Sequence, residues 1–126
     1  MLRPPPLSPH LSLYRLPLTA LLSITHRLTG VFLSLGVCVW LFLLITLRWN
    51  PATYEVLQNL LLTIPGRLFT GVFLFALFFH LSHGVRHLLW DAGHGLERDH
   101  LKHLAVVEIL AALILTLTCM ASALLT

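Results

Sequence analysis

The amino-acid sequence predicts an all-α membrane protein in which three transmembrane helices follow an N-terminal amphipathic segment, residues 1–27, on the inner face of the membrane. Of its 126 residues, 57% are hydrophobic and only 10% are charged, whereas a soluble domain carries about 25% charged residues. Three apolar stretches each approach the ~20 residues that cross the hydrocarbon layer of a bilayer. None of them shows the strict alternation of a barrel strand. We expect a single membrane-anchor domain over residues 1–126.

The three predicted spans comprise about residues 28–48, 67–90 and 104–125. The first contains no charged side chain before its last position, and the third carries one charge, Glu108, near its start. A proline follows the first span and another precedes the second. Residues 54–64, which lie between them, are predicted to form a short interfacial helix.

Basic residues are distributed unequally between the two ends of these spans. Six lie at one end (Arg3, Arg15, Arg27, Arg86, Arg98 and Lys102) and two at the other (Arg48 and Arg67). Since cytoplasmic flanks carry the excess of Lys and Arg, the N-terminus is predicted to be cytoplasmic in a bacterial inner (plasma) membrane. In a mitochondrial inner membrane it would face the matrix. Early prolines and a long first apolar run argue against a secretory signal.

The second span contains three histidines, His80, His83 and His87, in an otherwise apolar stretch. Ionisable groups at membrane depth are costly and usually functional, and neutral imidazole is a common ligand for a metal or haem iron. His80 and His87 lie within ~20° of one helix face but about 10 Å apart along the axis. They cannot bind opposite sides of one iron, so a six-coordinate haem would need a ligand from another helix or chain.

His80 is the strongest candidate ligand, because Ala76 and Gly84, one turn before and after it, are small. They leave a shallow notch in which a flat macrocycle could approach the backbone. For His83, a hydrogen bond across a helix interface is the better explanation. For His87, contact with a headgroup or a cofactor carboxylate explains the residue as well as ligation does.

A second polar group precedes the first span. Ser23 and Arg27 are four residues apart, so on a helix they share a face, with His26 on an adjacent face. A hydroxyl and a guanidinium at the membrane boundary can donate hydrogen bonds to a carbonyl oxygen. Arg27 and His26 are also suitable hydrogen-bond partners for propionate groups. An arginine that snorkels at the end of a spanning helix is the ordinary alternative.

Three blocks of the sequence together resemble a known family. They are residues 8–15 (SPHLSLYR), 23–30 (SITHRLTG) and 80–91 (HLSHGVRHLLWD). In this order, and with three spans, they are similar to the cytochrome b membrane-anchor subunit of succinate dehydrogenase, respiratory complex II. The resemblance covers nearly the whole chain.

The resemblance implies that the chain is part of a heteromeric helix bundle in the lipid membrane. In this family the large anchor subunit pairs with a second, smaller anchor subunit. Together they hold a flavoprotein subunit and an iron–sulfur subunit on the inner face. Electrons from succinate pass to ubiquinone at the membrane boundary. A b-type haem lies between the two anchors, with one axial histidine from each.

The same resemblance implies roles for individual residues. His80 matches the axial ligand of the haem iron, and Ser23 and Arg27 match the residues that donate hydrogen bonds to the quinone. His26, with Arg27, matches residues near the haem propionates. Asp91 matches an acidic residue close to the quinone region. The additional His83 leaves the choice between His80 and His83 open, and helix phase favours His80.

The chain lacks residues for succinate oxidation itself. It has neither a dinucleotide fingerprint nor a cysteine cluster for iron–sulfur centres, so no catalytic residue is expected, only a contribution to the quinone site. Its two cysteines, Cys38 and Cys119, lie in apolar runs without C-x-x-C spacing and indicate neither a disulfide framework nor a zinc site. Its basic residues, which flank the spans, indicate no nucleic-acid partner.

Three other functions are compatible with the sequence. One is a fumarate reductase anchor that works in the reverse direction with menaquinone, although the quinone block favours ubiquinone. Another is a metal or proton transporter that uses the histidines of the second span. The third is a purely structural anchor that has lost its haem. The presence of His80 argues against this third function.

Overall fold

The structure, a computed structural model, describes residues 15–95 and 98–125, with the backbone alone at residues 98–100 and 124. Its four α-helices are α1 (Leu18–Trp49), α2 (Pro51–Leu62), α3 (Ile64–Asp91) and α4 (Arg98–Leu125). No strand occurs in these two ranges, and α1, α3 and α4 are long and apolar enough to cross a membrane. The predicted all-α class and the three spans are confirmed.

The first helix is longer than the apolar stretch that predicts it. It begins at Leu18 rather than near residue 28, and its 32 residues extend for about 48 Å, more than the ~30 Å of a hydrocarbon core. Residues 18–27 of the predicted amphipathic segment therefore continue directly into the first span. Residues 1–14, which include most of the SPHLSLYR block, lie outside the described residues.

Two capped turns define α2. The Asn50 side chain accepts a hydrogen bond from the Thr53 N–H at 3.2 Å, with Pro51 in the first turn, as is typical of a helix start. Thr63 caps α3 in the same way. At Gly66 a Cβ atom would come within 2.3 Å of the Leu60 carbonyl oxygen, so the turn between α2 and α3 requires glycine.

α1 packs on α3 through a glycine and a set of phenylalanines. A Cβ atom at Gly36 would lie 2.1 Å from the ring of Phe73, so the ring occupies the space that a side chain would need. The ring of Phe32 lies 5.9 Å from that of Phe73 and 6.2 Å from that of Phe69. Close approach through small residues is how helices associate in lipid, where apolar surface alone provides no driving force.

α3 and α4 meet through buried alanines and one buried ionic group. Ala105 and Ala112 of α4 are fully buried. Between them Glu108 directs Oε1 to Nδ1 of His83, at 3.1 Å, and Oε2 to Nε of Arg86, at 3.2 Å. Because a lone carboxylate at membrane depth is costly, this pairing determines which face of α4 meets α3.

We expect Glu108→Gln to lower the free energy of unfolding by about 3 kcal/mol, because Arg86 would be left buried without its counter-charge. The measurement is a denaturing-detergent titration of the full chain in mild micelles, followed by circular dichroism. Glu55→Gln, at an exposed position of α2, is the matched control and should change stability little.

The double variant Arg86→Gln/Glu108→Gln should be more stable than Glu108→Gln alone, because no unpaired charge remains. If the double variant lost as much stability as Arg86→Gln and Glu108→Gln lose in sum, the two side chains would not be coupled, and the ion pair would not hold α3 to α4.

We expect Gly36→Ala to destabilise the chain by about 1–3 kcal/mol, because the methyl group would overlap the Phe73 ring. Gly71→Ala, at a helical glycine whose Cβ position has no atom within 4 Å, should be neutral or stabilising by up to ~1 kcal/mol through helix propensity. The same titration measures both. If Gly36→Ala and Gly71→Ala both lowered stability by similar amounts, this account of the α1–α3 contact would be contradicted.

Candidate functional site

Four histidines form a cluster where α1 meets α3. His26 comes from α1, and His80, His83 and His87 come from α3. The His26 ring is stacked on the His80 ring, with centroids 4.0 Å apart and planes 17° apart. It lies 4.5 Å from the His83 ring and 5.8 Å from the His87 ring. The helical spacing of the three α3 histidines thus places all of them around one side chain of α1.

His80 is oriented by the backbone of α1. Its Nδ1 lies 3.2 Å from the carbonyl oxygen of His26 and 3.2 Å from Oγ1 of Thr29. The Thr29 hydroxyl donates its own proton to the same carbonyl, at 2.9 Å. Since a carbonyl only accepts, the proton of a neutral His80 ring resides on Nδ1 and the lone pair is on Nε2. Histidines that bind a metal usually donate their other ring N–H to a carbonyl or carboxylate oxygen in this way.

A glycine leaves room for this orientation. A Cβ atom at Gly30 would lie 3.1 Å from Cε1 of His80, a tight contact, so a side chain at position 30 would push the ring slightly aside. One turn beyond His80, the Cβ position of Gly84 has no atom within 4 Å, whereas Ala76 is buried. Of the two sides of the predicted notch, the Gly84 side is the open one.

His83 is fully buried and forms the hydrogen bond across a helix interface that we predict for it. Its Nδ1 lies 3.1 Å from Oε1 of Glu108 and 3.0 Å from Nη2 of Arg86. Only one of these contacts can be a hydrogen bond at a time, because a protonated Nδ1 donates to the carboxylate and an unprotonated one accepts from the guanidinium. Nε2 of His83 has no hydrogen-bond partner in the described part of the chain.

His87 lies one turn further along α3, where its ring makes edge contacts with its neighbours. The ring centroids are 4.8 Å from His83 and 5.1 Å from Trp90. The Trp90 ring in turn lies 4.8 Å from the guanidinium carbon of Arg86, a cation–π contact. His87 therefore forms the edge of the cluster nearest the C-terminal end of α3.

Ser23 and Arg27 lie on one face of α1, in the helical turns around His26. Ser23 is half-buried and Arg27 is exposed. Neither side chain makes a hydrogen bond or an ion pair with residues 15–95 or 98–125, so both retain donors for a ligand. Asp91 is exposed at the last position of α3.

The sequence interpretation missed the partners of these histidines. Thr29 and Gly30 stand in the SITHRLTG block, but their contact with His80 depends on the crossing of two helices 50 residues apart in sequence. Glu108 gives a clearer signal, since a carboxylate within an apolar span needs a partner. The buried His83 and Arg86 of the preceding span are its partners.

The chain is similar to proteins of one known family. Residues 1–119 match the family model described as succinate dehydrogenase/fumarate reductase transmembrane subunit. The chain is 37% identical over 117 residues to a succinate dehydrogenase cytochrome b560 subunit of Reclinomonas americana, covering 89% of this chain and 81% of that one.

Two further relatives are also succinate dehydrogenase cytochrome b subunits. Identity is 39% over 92 residues with a succinate dehydrogenase cytochrome b556 subunit of Paracoccus denitrificans, covering 73% of this chain and 71% of that one. It is 38% over 106 residues with the mitochondrial cytochrome b560 subunit of Homo sapiens, covering 82% of this chain and 63% of that one. The chain therefore belongs to the family of cytochrome b transmembrane subunits of succinate dehydrogenase.

Proposed function

We propose that this chain anchors a succinate dehydrogenase in the membrane, binds a b-type haem together with a second anchor subunit, and forms part of the ubiquinone-reduction site. The observation that carries the proposal is the orientation of His80, whose Nδ1 contacts a backbone carbonyl and whose Nε2 is left for an iron. The partners would be the smaller anchor subunit, the iron–sulfur subunit and the flavoprotein subunit.

The residues around His80 fit a haem. A flat macrocycle needs an imidazole nitrogen with a lone pair and open space beside it, and Nε2 of His80 and the space at Gly84 supply both. Nε2 of His26 is buried without a hydrogen-bond partner among the described residues, and Arg27 is exposed. Both would bind the propionates, Arg27 through charge-assisted hydrogen bonds. Bound there, a haem would supply a one-electron carrier beside the quinone site.

The quinone site would be formed by Ser23 and Arg27. The Ser23 hydroxyl and the Arg27 guanidinium both donate, and neither is engaged by another described side chain. Donors already placed where negative charge develops on a carbonyl oxygen lower the barrier to its reduction, because they need no reorganisation. The chain would contribute this polar pair at the membrane boundary, while succinate oxidation takes place on the flavoprotein.

The orientation that the basic residues predict fits this location. Arg15 and Arg27 near the start of α1, Arg86 near the end of α3 and Lys102 near the start of α4 fall at one end of the bundle. By the positive-inside rule this end faces the bacterial cytoplasm or the mitochondrial matrix. Ser23 and Arg27 would then lie at the inner boundary, close to the soluble subunits that deliver electrons.

A fumarate reductase anchor is the second candidate, because the matching family model covers both enzymes. The relatives described above are succinate dehydrogenase subunits, and these names favour succinate oxidation over the reverse reaction and over transport. Reduction assays with ubiquinone and menaquinone analogues would separate the two directions.

We expect His80→Ala to abolish the low-spin b-type α-band in the visible spectrum of the reduced, purified complex, because the iron would lose an axial ligand. His94→Ala, at an exposed position outside the cluster, is the control and should retain the band. A band that survives in His80→Ala and disappears in His83→Ala would transfer the ligand role to His83.

We expect Arg27→Ala to lower succinate–ubiquinone reductase activity by roughly 10- to 100-fold, because a charged hydrogen bond contributes about 1.5–3 kcal/mol. Succinate oxidation with a soluble acceptor dye should be unchanged. Arg48→Ala, at the opposite end of α1, should leave both activities intact. Equal loss of the two activities in Arg27→Ala would argue against a role in the quinone site.

A further inference from the structure

A groove opens at the end of the bundle opposite the histidine cluster. It lies where the last turn of α2, the first turns of α3 and the last turns of α4 meet, and its volume is about 290 Å³. Its walls are mostly apolar and include one cation. The lining residues are Leu61, Leu62, Arg67, Thr70, Met120 and Ala123. Because these residues stand near the ends of three helices, the groove lies at the boundary between hydrocarbon and headgroups.

Arg67 has a fixed orientation and free hydrogen-bond donors. Its Nε donates to the main-chain oxygen of Leu62, at 3.0 Å, which ties the guanidinium to the turn between α2 and α3. Its two Nη nitrogens form no hydrogen bond with the side chains and backbone that the structure describes, and no described carboxylate forms a salt bridge with it. Arg67 therefore brings an unpaired positive charge and free N–H groups to the groove.

An unpaired guanidinium beside an apolar groove at this depth suits an anionic phospholipid. A phosphodiester accepts paired hydrogen bonds from the planar fork of an arginine. An acyl chain fits the apolar walls that Leu61, Met120 and Ala123 provide. The start of α3 adds a partial positive charge on the same side. A zwitterionic phospholipid carries its own cation next to the phosphate, so Arg67 attracts it less.

Arg48, the other basic residue at this end of the bundle, lacks these features. Its guanidinium carbon lies 5.8 Å from the centroid of the Trp49 ring, so its charge rests on an aromatic face. It does not line the groove. Arg48 therefore carries the same charge as Arg67 at the same end of the bundle without the apolar walls, and it serves as a matched control.

We propose that the groove at Arg67 binds an anionic phospholipid. The phosphate contacts the Nη nitrogens of Arg67, and an acyl chain lies between α3 and α4 along Thr70 and Met120. A lipid held in this way connects the turn between α2 and α3 with the end of α4. The site is independent of the haem and quinone assignments, because neither the four clustered histidines nor Ser23 and Arg27 line it.

The test uses the purified complex, stripped of lipid in mild detergent and titrated with phosphatidylglycerol or with phosphatidylcholine that has the same acyl chains. Native mass spectrometry counts the lipids retained at each concentration. The wild-type complex should retain phosphatidylglycerol in preference to phosphatidylcholine. Arg67→Gln should retain one phosphatidylglycerol fewer and need about 10-fold more lipid to recover it, because a charge-assisted contact is lost. Arg48→Gln should retain as many as the wild type.

The acyl chain is tested separately by Ala123→Phe, because a ring in the groove displaces the chain without changing the charge. This variant should lose the same lipid. Leu117→Phe, at an exposed position of α4 outside the groove, should keep it. Glycerophosphoglycerol, the headgroup without acyl chains, should not displace the bound lipid even in large excess. Circular dichroism of each variant shows whether the helices are retained.

Four results would overturn the proposal. The first is a wild-type complex without preference for phosphatidylglycerol. The second is an Arg67→Gln variant that retains as much of this lipid as the wild type, as expected if a partner subunit covers the groove. The third is an equal loss in Arg67→Gln and Arg48→Gln, which would show attraction by charge alone. The fourth is displacement by glycerophosphoglycerol, which would identify a free anion as the ligand.

The visible spectrum separates this proposal from the haem assignment. Arg67→Gln should keep the b-type α-band of the reduced complex and lose the lipid, whereas His80→Ala should lose the band and keep the lipid. An unchanged band in His80→Ala would refute only the role of His80. Unchanged lipid retention in Arg67→Gln would refute only the lipid site.

Discussion

The contact of Glu108 with His83 and Arg86 is the interaction on which the rest of the bundle depends. In lipid, apolar surface does not drive helices together, and most of the side chains of α4 are as well solvated by acyl chains as by protein. A buried carboxylate is different, because it must meet a cation or a donor. Glu108 therefore selects the face of α4 that packs on α3, and the neighbouring alanines allow the close approach that this requires.

The same contact connects the architecture to the candidate site. His83 is held by α4 through Nδ1, and its ring lies 4.5 Å from that of His26 on α1. One imidazole thus lies between the ionic group at the α3–α4 interface and the histidine cluster at the α1–α3 interface. Three spans that are separate in sequence contribute to one continuous set of polar groups within an apolar bundle.

The spans and the polar residues could be predicted from sequence, because both depend on composition and local spacing. Twenty apolar residues in a row indicate a membrane helix whatever surrounds them, and histidines at such depth indicate function. The start of α1 at Leu18 was not predicted, because polar residues such as Ser23 and Arg27 end an apolar run without ending a helix. The contacts of Thr29 and Gly30 with His80 depend on a helix crossing, which no local pattern specifies.

The role of His83 shows where a pattern is insufficient. A helical wheel places it about 60° from His80 and leaves its partner unspecified. The partner is the carboxylate of Glu108, 25 residues later on a different helix. Only the packing of α4 on α3 identifies it. By contrast, His80 could be singled out from sequence because its small neighbour Gly84 belongs to the same helix.

The proton on Nδ1 of His80 is directed to a main-chain carbonyl, and this has a consequence for how the site tolerates mutation. Every residue type carries that oxygen, so exchange of the side chain at position 26 leaves the acceptor in place. The vulnerable position is Gly30, which makes no polar contact with the ring and yet leaves it room. A change at Gly30, a residue without functional groups, should thus displace the His80 ring, whereas a change of the side chain at position 26 leaves the acceptor of the His80 proton in place.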